Sequence, residues 1–192
     1  MKRIILLLLI ISFMGAIAIL YPYFETNSLA SQIISNPDHV NSSAKDLEYS
    51  IHVPIRIIGN ENFTKYNGVI DGEGTREDPY IIEGWNIDAH GGTYGIWIEN
   101  TTVYFIIRNC KIWNATHVTC CIPEPFGAGI RLVNVKNGEI SNNNIVHNIY
   151  GILLVSSPKN IILNNTISDN WYGAIIHKSS STFLNNNSIV GI

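Results

Sequence analysis

Charge is scarce in this chain. Of its 192 residues only 14% are Lys, Arg, Asp or Glu, against about 25% in ordinary soluble domains. No basic run occurs and the formal net charge is −3, which removes the electrostatic footprint of a nucleic-acid partner. Bias toward Pro, Ser or Gln is also missing, while 46% of the residues are hydrophobic, so the chain has apolar surface enough to fold. After residue 24 no stretch repeats its apolar residues every 3.6 positions, which excludes a helical body. What the chain does have is glycine, 15 residues, and asparagine runs such as Asn142-Asn143-Asn144 and Asn185-Asn186-Asn187. Its fold must therefore satisfy many amides without ions. The length allows one domain of about 150 residues plus a targeting segment.

Lys2 and Arg3 precede an apolar run from Ile4 to Leu20 that contains Ala16-Ile17-Ala18, an A-x-A-like cleavage site. This pattern predicts a hydrophobic helix over residues 1–20, acting as a secretory signal peptide. The run is also just long enough for an uncleaved membrane anchor. Either role places the remainder outside the cytoplasm, secreted or held at the cell surface. Residues 21–50 are polar and lack a period, which predicts a spacer, with the folded domain over residues 51–192. Six N-x-[ST] sequons, at Asn41, Asn62, Asn100, Asn114, Asn164 and Asn186, are glycosylation candidates and agree with export.

A repeat decides the fold class. Gly95-Ile-Trp-Ile, Gly129-Ile-Arg-Leu, Gly151-Ile-Leu-Leu and Gly173-Ala-Ile-Ile are spaced by 34, 22 and 22 residues. Ile82-to-Ile87, Ile107-to-Ile112, Ile140-to-Ile145, Ile162-to-Ile167 and Leu184-to-Ile189 keep a matching rhythm. Within each copy, apolar residues alternate in short pieces between Asn, Gly and Ser turns. Three short strands and three turns per 22 residues make one coil of a parallel β-helix.

Stacked coils give the asparagines a use. Asn109, Asn142, Asn164 and Asn186 align, as do Cys110, Asn143, Asn165 and Asn187. An Asn at a turn tolerates left-handed backbone, and its amide can bond the equivalent Asn one coil away. Ile96/Ile98, Ile130/Leu132, Ile152/Leu154 and Ala174/Ile176 should face inward, with Trp97, Arg131, Leu153 and Ile175 outward. That apolar outward stripe calls for a cover: the spacer, another subunit or a ligand. The block Pro54–Gly59 and Gly68–Trp85 suits a first, capping coil. The next glycine of the series would fall near position 195, so the domain is expected to be truncated at its C-terminal end or completed by a partner.

Gly72-Glu-Gly-Thr-Arg-Glu-Asp-Pro-Tyr-Ile-Ile-Glu-Gly-Trp, followed by the Gly-Ile-x-Ile and Asn-Asn-x-Ile repeats, resembles archaeal surface proteins with β-helix repeats. These are grouped with NosD-like periplasmic copper-binding proteins and with the carbohydrate-binding and sugar-hydrolysis β-helix domain. The resemblance spans roughly residues 54–192. It implies an all-β, right-handed parallel β-helix and makes a carbohydrate-related or surface-binding role plausible. It transfers no catalytic residue.

Several residue sets could carry chemistry. Sugar hydrolysis needs two carboxyl groups about 5–9.5 Å apart, and no two carboxylates of the repeats align on adjacent coils. His147 and Asp169 do stack and form a candidate general-base pair. Asp71, Glu73, Glu77 and Asp78 make the one dense acidic patch, readable as a solvated turn or as a calcium site. An insert of about twelve residues lies near Thr116–Phe126 and contains His117, Cys120 and Cys121. Cys110 could form a disulfide with Cys120 or Cys121, all three thiols could stay unpaired, or Cys110, His117, Cys120 and Cys121 could hold Cu(I) or zinc. Trp97, Trp113 and Trp171, with Trp85 and the tyrosine column, could stack on sugar rings. No cofactor is required by the sequence. The leading expectation is an exported, non-enzymatic β-helix module that binds carbohydrate or another surface component. The alternatives are a polysaccharide lyase or hydrolase, and a copper-handling accessory protein.

Overall fold

A computed structural model describes residues 48–118 and 126–191. The hydrophobic helix expected over residues 1–20, residues 21–47 of the expected spacer, Asn41, Cys120 and Cys121 lie outside the described residues. The first strands are β1 (Ser50–His52), β2 (Ile55–Ile58) and β3 (Val69–Asp71). A full coil follows as β4 (Tyr80–Glu83), β5 (Trp85–Asp88) and β6 (Tyr94–Thr101). The next is β7 (Phe105–Arg108), β8 (Lys111–Trp113) and β9 (Ala128–Val135). After it come β10 (Gly138–Ser141), β11 (Asn144–Val146) and β12 (Tyr150–Val155), then β13 (Ile161–Leu163), β14 (Thr166–Asn170) and β15 (Tyr172–His177). β16 (Phe183–Asn185) and β17 (Ser188–Gly191) end the series.

The strands sort by their place in the coil into three sheets. Sheet I runs β1-β5-β8-β11-β14-β17, sheet II β3-β4-β7-β10-β13-β16, and sheet III β2-β6-β9-β12-β15. Every pairing is parallel except that of β3 with β4. The chain is thus a right-handed parallel β-helix, with sheet register set by the repeat: Ile96 pairs Ile130, and Ile130 pairs Ile152. The antiparallel β3–β4 hairpin occupies the N-terminal edge of sheet II, where it blocks further parallel pairing.

The core is a set of aliphatic columns. Ile82, Ile107, Ile140 and Ile162 stack from sheet II, and Ile87, Ile112, Ile145 and Ile167 from sheet I, all completely buried. Ile57, Ile98, Leu132 and Leu154 supply sheet III and are equally enclosed. Each such side chain contributes about 1.5–3 kcal/mol of transfer free energy. In the last coil the same columns, at Ile176, Leu184 and Ile189, are partly exposed.

Turns follow the asparagines. Asn109, Asn142, Asn164 and Asn186 hold left-handed φ of 51°, 55°, 53° and 50°, a conformation Asn accepts at low cost. The inner neighbours form a continuous amide ladder. Oδ1 of Asn143 accepts from the Cys110 N–H at 3.0 Å, and Oδ1 of Asn165 accepts from the Asn143 N–H at 3.0 Å. Oδ1 of Asn187 then accepts from the Asn165 N–H at 3.0 Å. A second ladder at the next corner escaped the sequence reading: the Ala115 N–H donates to Asn148 and the Asn148 N–H to Asn170. Its signal was present, because Asn148 and Asn170 share the 22-residue spacing.

Candidate functional site

The corner between sheets I and III carries an aromatic group. Residues in equivalent coil positions stack about 4.8 Å apart, so Tyr150 and Tyr172 lie ring over ring, centroids 5.1 Å apart and planes inclined by 24°. Phe126, at the end of the insert, meets Tyr150 edge-on at 6.1 Å. The Tyr150 N–H donates to Gly127 O and the Tyr172 N–H to Ile149 O, which pins both rings to the coil. Trp171 precedes Tyr172 and is 64% exposed. Together with Ile149 these rings bound a shallow cleft of about 130 Å³. Burial, and then the neighbouring Tyr172 hydroxyl, hold the Tyr150 phenol above its ordinary pKa, so it remains a neutral donor. Apolar faces edged by Tyr O–H and Trp N–H groups suit a ligand with both C–H and hydroxyl faces.

The other tryptophans are placed differently. Trp97 stands in the outward column of sheet III with Arg56 and Arg131, whose guanidinium carbons each lie 4.5 Å from its ring centre. Cation–π stacking occupies the ring that a sugar would need, so its suitability inferred from an outward position is lost. Trp113 donates through Nε1 to Asn86 Oδ1 at 3.0 Å and lines a separate cleft with Asp88 and His90. Trp85 donates to Gly68 O and packs against the core at the capping end.

The stacked pair His147 and Asp169 is exposed with left-handed φ of 55° each, His147 just after β11 and Asp169 at an irregularity within β14. No hydrogen bond or ion pair joins them among the described residues, and Asp169 accepts instead from Ser168 Oγ at 3.3 Å. Asp71, Glu73, Glu77 and Asp78 are exposed around the β3–β4 turn. There the Glu73 and Thr75 N–H groups both donate to Asp78 O at 3.1 Å. Among the described residues no group of three His, Cys, Asp or Glu side chains converges as a metal site. Asn62, Asn100, Asn164 and Asn186 are exposed, whereas Asn114 is half-buried and donates to Asp88.

Cys110 is a free thiol with no exposed surface, and its Sγ donates to Arg108 O at 3.2 Å. It belongs to the inner asparagine column, while His117 is exposed at the base of the insert. There Gly127 N–H donates to His117 O at 2.9 Å, closing the neck of the insert. Burial pushes the Cys110 thiol up to about 12. A thiol reagent at pH 8 should therefore spare Cys110 in the native chain and label it once the chain is unfolded. Peptide mapping checks this, and labelling in the native state would contradict it. Between about pH 8.5, where an unfolded thiol ionises, and pH 12, the unfolded state binds fewer protons. Stability then falls as pH rises through that window.

A family model described as right handed beta helix region matches residues 33–192. No curated protein and no solved structure matches the chain. The matched span takes in every strand of the three sheets, and the chain belongs to the right-handed β-helix family.

Proposed function

We propose that the protein is an exported, cell-surface β-helix module that binds carbohydrate without transforming it. The observation that carries this reading is the aromatic corner, where Trp171 is 64% exposed beside the stacked Tyr150 and Tyr172. A sugar ring has an apolar C–H face and a hydroxyl rim, and the corner offers the complement of both. The stacking of Tyr150 on Tyr172 favours binding, since these two rings, already held against each other, lose little entropy when a ligand arrives. The apolar run from Ile4 to Leu20 supports export.

A glycan array probed with the full chain tests the reading, followed by titration of tryptophan fluorescence. At least one glycan class should bind saturably, with Trp171→Ala weakening it tenfold or more and Trp113→Ala leaving it unchanged. No retained glycan, or full affinity in Trp171→Ala, would overturn the assignment of the corner. New reducing or unsaturated ends released from a bound polysaccharide, abolished by Asp169→Asn, would replace binding by catalysis.

A further inference from the structure

The β3–β4 hairpin leans toward the outer face of sheet II and leaves a cleft of about 200 Å³ against it. Ile106 and Ile161 form its floor, Tyr104 one side, and Arg76 and Lys159 approach from separate elements. Glu139 lies between them on β10. We infer that this cleft binds an oxyanion, held by the Arg76 guanidinium and the Lys159 ammonium, at a site independent of the aromatic corner.

Three features support the assignment. First, the two cations have no acid within ion-pair distance among the described residues, whereas Arg108 on the same face is paired with Glu83 at 2.7 Å. Partial burial opposes ionisation of Glu83, yet the bonds from Arg108 and Asn109 outweigh it and hold its carboxyl below the usual range. Arg108 is therefore committed, and Arg76 and Lys159 are not. Glu139 is engaged by Ser141 Oγ at 2.7 Å. The cleft lining thus carries two cations against one carboxylate, Glu139, which sits in the floor between Ile106 and Ile161, an excess of one positive charge in a chain whose net charge is −3.

Second, Arg76 rides on a closed turn. The Tyr104 N–H donates to Gly74 O at 3.0 Å, and a Cβ on Gly72 would collide with the Pro79 carbonyl. That turn is fixed to the coil before any ligand binds, which preserves the reach of the guanidinium fork. Third, Lys159 has a left-handed φ of 61° at a turn where neighbouring coils carry Asn137 at 63° and Ser181 at 56°. That conformation is unfavourable for a lysine, and the lysine there lines the cleft.

The test is a titration of the isotope-labelled full chain with inorganic phosphate, sulfate and acetate at constant ionic strength. Saturable shifts of the Ile106, Gly138 and Ile161 signals are expected. Arg76→Gln and Lys159→Gln should each weaken binding at least fivefold, while Glu139→Gln tightens it about threefold by removing a like charge. That opposite sign distinguishes a charge-selective site from general loss of structure. Tighter binding of acetate would assign a carboxylate ligand, and tighter phosphate or sulfate a tetrahedral one; both support the site. Shifts that do not saturate, or affinities unchanged in all three variants, would overturn it.

Discussion

Gly151→Ala is expected to destabilise the β-helix by about 3 kcal/mol or more, among the largest losses any single methyl group could cause here. The cost does not come from backbone conformation, because Gly151 is not among the glycines with positive φ. It comes from space. A Cβ at this position would lie 2.5 Å from the Gly173 carbonyl oxygen and 2.5 Å from Ile167 Cγ2. The first atom is backbone of the next coil and cannot retreat without opening the β12–β15 pairing. The second belongs to a fully buried side chain, and close-packed interiors leave such a group little room to move. Gly84→Ala is the matching control: no atom lies within 4 Å of its Cβ, so only its φ of 75° opposes the change, costing about 1 kcal/mol. Urea unfolding of both variants measures the difference. A Gly151→Ala loss no greater than that of Gly84→Ala would show that the coils can separate, against the packing described.

Asn165→Leu is the second large effect, with an expected loss of about 3–6 kcal/mol. Asn165 is 1% exposed and shares leucine's branched four-atom side-chain skeleton, so the change removes every side-chain hydrogen bond and adds the bulk of two methyl groups in their place. Its Oδ1 accepts from both the N–H and Nδ2 of Asn143 at 3.0 Å. Its Nδ2 donates to Ile140 O and to Asn187 Oδ1 at 2.9 Å each. Leucine would orphan the Asn143 donors and the Ile140 acceptor inside the coil, where water does not reach. Each buried orphan costs about 1–3 kcal/mol. Asn164 next to it makes the contrast, since it is exposed and left-handed at φ 53°. Asn164→Gly should change stability by only a few tenths of a kcal/mol. Equal losses at positions 164 and 165 in denaturant unfolding would refute the ladder as a source of stability.

These two positions also mark how far the sequence could be read. Periodicity alone placed Gly151 and Asn165 in columns, because a solenoid converts linear spacing directly into spatial neighbourhood. The inward Ile and Leu columns were legible for the same reason, as was the capping role of the block before Trp85. Nothing in the spacing says which side-chain faces remain available. Trp97 reads as an exposed outward aromatic, yet its neighbours in sheet III are Arg56 and Arg131, and guanidinium stacking claims its ring. Arg56 lies 41 residues before Trp97 in the chain, outside the regular repeat, so no fixed period could bring the two together.

By itself, then, the sequence determined the coil, its period, the inward columns and the amide ladder, since each depends on residues repeating at one spacing. Only the tertiary structure decided which surface positions combine into sites. Phe126 joins Tyr150, Trp171 and Tyr172 because the neck of the insert closes through His117 and Gly127. Arg76 and Lys159 line one cleft because the turn of an antiparallel hairpin lies beside sheet II. Both groupings arise where the chain departs from its repeat, and there periodicity carries no information about distance in space.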